Sequence, residues 1–179
     1  IGPDVNDIGE YAFRDTKISE FTVKSGNKAF KAQTADRIVS RDEKTLIAVS
    51  PLTSGDFTAN EFTSVGKGAF SHNRQIVSVV MPNVTTVGDY GFASDTNMIS
   101  IKLGNLKSVG EYAFSETGIT EMPAFTADTK IGKYAFTLTK LVNVIIPDGA
   151  VIEEGTFSDC GNLESVVIGN DVKIGKNAF

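Results

Sequence analysis

The chain has 179 residues, of which 41% are hydrophobic and 22% charged, enough apolar material for one folded core and no requirement for a second domain. Its 17 Lys and Arg against 22 Asp and Glu leave a net charge of −5, the wrong balance for holding nucleic acid. One Cys, one His and no Trp exclude an internal disulfide framework, a zinc cluster and a His-pair metal site, and no apolar run is long enough to span a bilayer.

Along the chain a six-residue signature recurs, Ile/Val-Gly-x-x-Ala-Phe. It runs from Ile8 to Phe13, Val65 to Phe70, Val87 to Phe92, Val109 to Phe114 and Ile131 to Phe136, then with substitutions from Ile152 to Phe157 and Ile174 to Phe179. The closing Phe advances by 57, 22, 22, 22, 21 and 22 residues, and self-similarity at that period marks stacked repeats. Ile18, Phe21 and Val23 make a first short strand. The long first interval then predicts an insertion over about residues 24–56, where Arg37-Ile-Val-Ser and Leu46-Ile-Ala-Val flank the polar Arg41-Asp-Glu-Lys and read as a β-hairpin.

Between later copies lies a second apolar cluster spaced L-x-x-L-x-L: Ile76, Val79, Met81; Met98, Ile101, Leu103; Ile119, Met122, Ala124; Leu141, Val144, Ile146; Leu163, Val166, Ile168. Its last residues alternate with period two, as a half-buried strand does, and Pro82 and Pro147 close two of these strands. Each unit is thus predicted as a short strand, a turn, a second extended piece at the Val/Ile-Gly, and a tight helical turn carrying Ala-Phe. No unit can cover its apolar side alone, so units stack into a solenoid whose strands pair at about 4.8 Å, with Phe rings lined up inside.

The columns assign inside and outside. Ala12, Ala69, Gly91, Ala113, Ala135, Thr156 and Ala178 keep one position small for close approach, and the residue after the motif Gly is charged (Glu10, Lys67, Asp89, Glu111, Lys133, Glu154, Lys176), which keeps it in water.

These units, followed by L-x-x-L-x-L-P, resemble the BspA-type leucine-rich repeats. Even the insertion is similar to a recurring element of that family, through Ser25-Gly-Asn-Lys-Ala-Phe30 and Ser40-Arg-Asp-Glu-Lys-Thr-Leu-Ile47. The family's usual Cys after the Phe survives only as Cys160, with Asn73 and Asp95 in that place elsewhere. The resemblance implies one leucine-rich-repeat domain over 1–179, a right-handed coil of about seven 22-residue repeats. It would carry a parallel β-sheet on one face, short helical turns and extended segments on the other, and one inserted β-hairpin. It further implies a secreted or surface-anchored bacterial or protozoan protein that adheres to host proteins or other cells, with no cofactor. The chain, which opens on neither Met nor a signal segment and stops in mid-repeat, reads as a piece of a longer protein.

Alternation places Val79 and Met81 inward, so Ser78 and Val80 point out; the same rule puts Ser100, Lys102, Glu121, Pro123, Asn143, Ile145, Ser165 and Val167 on the open strand face. Short polar residues interspersed with Val and Ile suit a protein ligand, such as a host matrix or cell-surface protein, whereas packing against a neighbouring domain, or mere strand propensity, would produce the same pattern. Tyr11, Tyr90, Tyr112 and Tyr134 share one motif column; Tyr90, Tyr112 and Tyr134 form a secondary candidate for a lateral protein or carbohydrate contact, although rings half-covering a turn account for the column more simply, without any ligand. His72 reads as a solvated turn residue, Cys160 as a semi-buried one, and Glu20 and Glu121 lie several coils apart, too far for a glycosidase pair. Asp148 and Asn170 read as turn formers rather than calcium ligands. No catalytic constellation assembles, and a rigid spacer without a ligand is the alternative to a binding module.

Overall fold

The computed structural model describes residues 1–179 and contains strands and turns without any helix. In chain order the strands are β1 (Phe30–Thr34), β2 (Arg37–Ser40), β3 (Thr45–Val49), β4 (Gly55–Thr58), β5 (Ser64–Val65), β6 (Ile76–Met81), β7 (Thr86–Val87), β8 (Ser100–Leu103), β9 (Leu106–Val109), β10 (Phe125–Ile131), β11 (Asn143–Ile146), β12 (Val151–Ile152), β13 (Ser165–Ile168) and β14 (Lys173–Ile174). They build a β-solenoid. One side holds the parallel sheets β4-β6-β8 and β11-β13; the second extended pieces of each coil form β3-β5-β7-β9-β10 and β12-β14.

The predicted hairpin is present and larger than expected. Strands β1, β2 and β3 form an antiparallel meander, and β3 continues in parallel into β5 with Leu46 opposite Val65. Leu46 therefore fills the slot that Val65, Val87 and Val109 fill later, and the insertion is stitched into the solenoid rather than hung from it.

Inside, the rings of Phe70, Phe92, Phe114, Phe136, Phe157 and Phe179 stack on one another with centroids 4.8 to 5.6 Å apart. Phe13 does not join this spine. It packs on Phe21 at 4.8 Å, in a separate small cluster with Phe30, Ile38 and Ala48, because the coil supplied by the insertion intervenes. The small column is buried from Ala69 onward; at Gly91 even a methyl group would come within 2.7 Å of Val87.

The helical turn predicted after the motif Gly does not form. Tyr11, Gly68, Tyr90, Tyr112, Tyr134, Gly155 and Asn177 all have φ between 51° and 63°, and four residues on Asp15, His72, Ser94, Glu116, Leu138 and Asp159 do so again, with φ between 53° and 62°. A left-handed residue every fourth position breaks a right-handed helix before it starts. What forms instead is a chain of β-turns: the amides of Gly91, Ala93 and Asp95 donate to the carbonyls three residues back, at 3.1, 3.1 and 3.2 Å. The intervening amides of Tyr90, Phe92 and Ser94 donate to Glu111, Ala113 and Ser115 of the next coil, at 2.9, 2.8 and 2.8 Å. From Tyr90 to Asp95 every backbone donor is thereby satisfied, half within the coil and half across coils.

Candidate functional site

On the strand face the alternation holds in β6, β8 and β11, whereas in β13 Ile168, expected inward, is 47% exposed. Val79 and Met81 are fully buried while Ser78 and Val80 are half-exposed, and β11 alternates exposed and buried residues along its length. The register aligns Ser78 with Ser100, Val80 with Lys102, Asn143 with Ser165 and Ile145 with Val167. These side chains stand in two columns. Ile145 and Val167 are 69% and 57% exposed, large apolar groups held side by side in water. Asp56, which pairs with Ser78 in register, joins the face and accepts a hydrogen bond from the Ser78 hydroxyl at 2.6 Å.

Glu121 is exposed, as expected, but its coil is irregular. Residues 118–124 form no strand, so the sheet splits between β8 and β11. Pro123, expected outward, is buried; Ala124, expected inward, is exposed. Ile119 to Phe136 spans 18 positions where Met98 to Phe114 spans 17, but Phe125 pairs with Leu106 and Ile131 with Val109, so the surplus bulges out of β10 after Phe125, the face segment before it is cut short, and Pro123 supplies no N–H for a ladder. Two clefts flank the displaced segment. One, of about 210 Å³, lies between β8 and Thr120, Glu121 and Met122. The other, of about 370 Å³, is lined by Met122, Pro123, Phe125, Ile145 and Pro147 among others. Ser100, Lys102, Glu121, Pro123, Asn143 and Ile145 line one or other cleft, so the break gathers six of the face residues read from the sequence and adds Met122, Phe125 and Pro147, which alternation alone misses.

On the lateral side Tyr11, Tyr90, Tyr112 and Tyr134 form a ladder with centroids 5.0 to 5.2 Å apart. Tyr11 reaches Tyr90 because Gly68 stands between them without a side chain. At the far end the Tyr134 ring lies flat on Gly155, where an added Cβ would sit 2.1 Å from the ring, and at the near end the Arg14 guanidinium lies 5.5 Å over Tyr11. The ring faces are therefore covered, and a sugar, which stacks on aromatic faces, meets only edges. Burial, then neighbouring Tyr90, pushes the Tyr11 hydroxyl up to about 12, so this ring is neutral at ordinary pH. A groove of about 410 Å³ beside the ladder is walled by the second left-handed column, including His72, Ser94 and Glu116.

His72 is less solvated than the sequence implies. Its ring meets Tyr11 edge-on at 5.8 Å and its Nδ1 is buried without a partner; burial first, then Arg14, lowers its pKa. The hydroxyl of Ser94, its column neighbour, donates to Glu116 at 2.9 Å rather than to the imidazole, so no nucleophile and base are paired here. Cys160 is buried, with its thiol donating to the Phe136 carbonyl at 3.2 Å. Its column holds Asn73, Asp95, Thr117 and Thr139, all buried. Asp148 Oδ1 accepts from the Asn170 amide at 2.6 Å, tying one coil corner to the next as Asp89 does for Glu111. No group of three or more His, Cys, Asp or Glu side chains is placed to hold a metal ion, and no helix is long and apolar enough to cross a membrane.

Three solved structures share this architecture. A leucine-rich cell surface protein from Faecalibacterium prausnitzii A2-165 superposes with a TM-score of 0.64 at 20% identity, over 92% of this chain and 45% of its own. The pneumococcal vaccine antigen PcpA gives 0.62 at 17%, over 100% of this chain and 42% of its own, and the leucine-rich repeat protein TpLRR of T. pallidum gives 0.56 at 18%, over 86% and 85%. The chain thus spans less than half the length of the first two. Among curated protein sequences none matches. The family model of the BspA type leucine rich repeat region matches in six copies over residues 1–36 and 56–179, leaving out the core of the inserted meander. With that coverage, the chain belongs to the BspA-type leucine-rich repeat family.

Proposed function

We propose that this chain is a non-catalytic binding module of a secreted or cell-surface protein, and that it recognises a protein ligand through its strand face. The observation that carries the reading is the pair Ile145 and Val167, 69% and 57% exposed on adjacent strands, set among Ser100, Lys102, Asn143 and Ser165 at the edge of a cleft. Exposed apolar side chains clustered within a polar frame are the composition of a protein-binding patch. Membership of the family supports this, as do two structurally similar proteins, one described as a cell surface protein and the other as a vaccine antigen.

The test is binding of the purified chain to a panel of extracellular matrix proteins, cell-surface proteins and glycans, beside a variant carrying Val80→Glu, Lys102→Glu and Ile145→Glu. Circular dichroism first establishes that both fold alike. Wild type is expected to bind at least one protein, with affinity at least tenfold weaker in the variant, since each charge must be desolvated in the interface. Equal binding by both would move the site off the strand face, and binding by neither would leave a rigid spacer as the better reading.

A further inference from the structure

The break in the strand face leaves backbone groups without partners, and this separates it from every other part of the face. In regular coils the Ile99 amide donates to the Val77 carbonyl at 3.0 Å and the Glu164 amide to the Val142 carbonyl at 2.9 Å. Between Gly118 and Ala124 no amide donates to any backbone or side-chain acceptor; on the facing coil the Ile99 carbonyl accepts nothing. β8 has a strand neighbour only in β6, and β11 only in β13. The segment has peeled away from β8, and the cleft of about 210 Å³ marks where it opened.

A row of unengaged donors facing an unengaged carbonyl is a strand edge, and what complements a strand edge is another extended backbone. We propose that the break receives an extended peptide segment of the protein ligand, added as a short strand between β8 and Thr120–Met122. Its carbonyls accept from the amides of Thr120 to Met122, and one of its amides donates to the Ile99 carbonyl. The apolar cleft of about 370 Å³ shares Thr120, Glu121 and Met122 with the first, so a bulky apolar side chain beside the paired residues has a seat against Pro123, Phe125 and Ile145. Lys102 on one wall and Glu121 on the other admit side chains of either sign, which leaves the backbone as the recognised feature. A glycan supplies hydroxyls but no regular row of carbonyl acceptors. This inference rests on the strand face being the binding surface and narrows it to one coil and one ligand chemistry.

Random linear heptapeptides displayed on phage are selected on the folded chain, and the enriched sequences are synthesised as free peptides. Their affinities are measured for wild type, for Met122→Pro, which deletes one donor, and for a variant in which the twelve residues Ile119–Lys130 are replaced by the eleven of Met98–Ser108, which removes the bulge before Ile131 and restores the regular strand. Circular dichroism shows whether each variant folds, and the replacement uses a segment that already folds one coil away. Expected are selected peptides whose affinity falls at least tenfold in both variants and in peptide analogues with a backbone amide replaced by an ester. Failure to recover peptides, or peptides that bind both variants as well as wild type, would overturn the proposal. If peptides fail while a folded panel protein binds wild type and loses affinity for the triple glutamate variant, the strand-face reading stands and only the peptide inference falls.

Discussion

Asp95 is buried completely, and its carboxyl has one partner: Oδ1 accepts from the Asn73 amide at 2.8 Å, while Oδ2 meets no donor or acceptor. Burial pushes its pKa well above the ordinary carboxylate value, opposed only by that single hydrogen bond. A raised native pKa means that between the unfolded value, near 3.9, and the native one, the folded chain holds a proton the unfolded chain has released. Stability therefore falls as pH rises through that window, by at most about 1.4 kcal/mol per pH unit. Asp95→Asn removes the titration and the unpaired acceptor together. The column accommodates Asn, since Asn73 one coil earlier donates through Nδ2 to the Ser50 carbonyl at 3.0 Å and accepts from the Gln75 amide at 3.0 Å. The variant is expected to be more stable at pH 7 by at least about 1 kcal/mol, the cost of an unsatisfied buried polar group, and the gain is expected to shrink towards zero at pH 4. Urea unfolding followed by far-ultraviolet circular dichroism at each pH unit from 4 to 8 measures the difference directly. A difference that does not change with pH would refute the argument, because the variant would then act through packing alone.

Three further outcomes follow from the ladders. Phe114→Ala removes a fully buried ring stacked at 5.3 Å on Phe92 and 5.0 Å on Phe136; a loss of about 3–5 kcal/mol in urea unfolding is expected, and a loss under about 2 kcal/mol would mean the spine is not cooperative. Gly155 and Gly149 have φ of 63° and 75°, but only at Gly155 would a methyl group strike a neighbour, the Tyr134 ring. Gly149→Ala should therefore cost about 1–2 kcal/mol for its backbone and Gly155→Ala clearly more, with equal midpoints counting against the stacked placement of Tyr134. Lys67 bridges Glu10 at 3.6 Å and Asp89 at 3.0 Å with a side chain 61% exposed; Lys67→Ala should leave the thermal midpoint within error, since exposed pairs of this kind contribute little.

The period, the stacking and the sorting of columns into inside and outside were legible because each depends on one residue type recurring at one spacing. The turn was not, although its signal was present. The column that holds Tyr11, Tyr90, Tyr112 and Tyr134 also holds Gly68, Gly155 and Asn177, the residues that most readily adopt positive φ, and that company argues against a helix where the Ala-Phe pair alone invites one. β1 was missed because Phe30–Thr34 carries a weak alternation and is fixed by pairing with β2, a tertiary effect. The break was countable, as one residue too many between Ile119 and Phe136 together with a Pro in mid-strand, but its consequence, a row of idle amides, follows from where neighbouring coils lie. Asp95 looked like a substitute for Cys in a turn; only its burial shows the charge problem.

The break tolerates its lost hydrogen bonds because the coils on either side remain joined elsewhere. Through the same coil Tyr112, Phe114 and Glu116 donate to Lys133, Ala135 and Thr137 at 3.1, 2.8 and 3.0 Å, and Tyr134 donates onward to Glu154 at 3.0 Å. The Phe spine and the Tyr ladder also run through it without interruption. In a stack where each coil contacts only its neighbours, one intact side suffices to transmit stability past an opened one. On the proposed function, stability and recognition are divided between two sides of the same coil. Substitutions on the strand face at Lys102 or Ile145 should change binding with little change in unfolding, whereas those in the turn ladder or the spine should change unfolding and reach the face only through it. Such a division lets the strand face vary in sequence, and even lose its regular strand, while the repeat that stacks it stays recognisable.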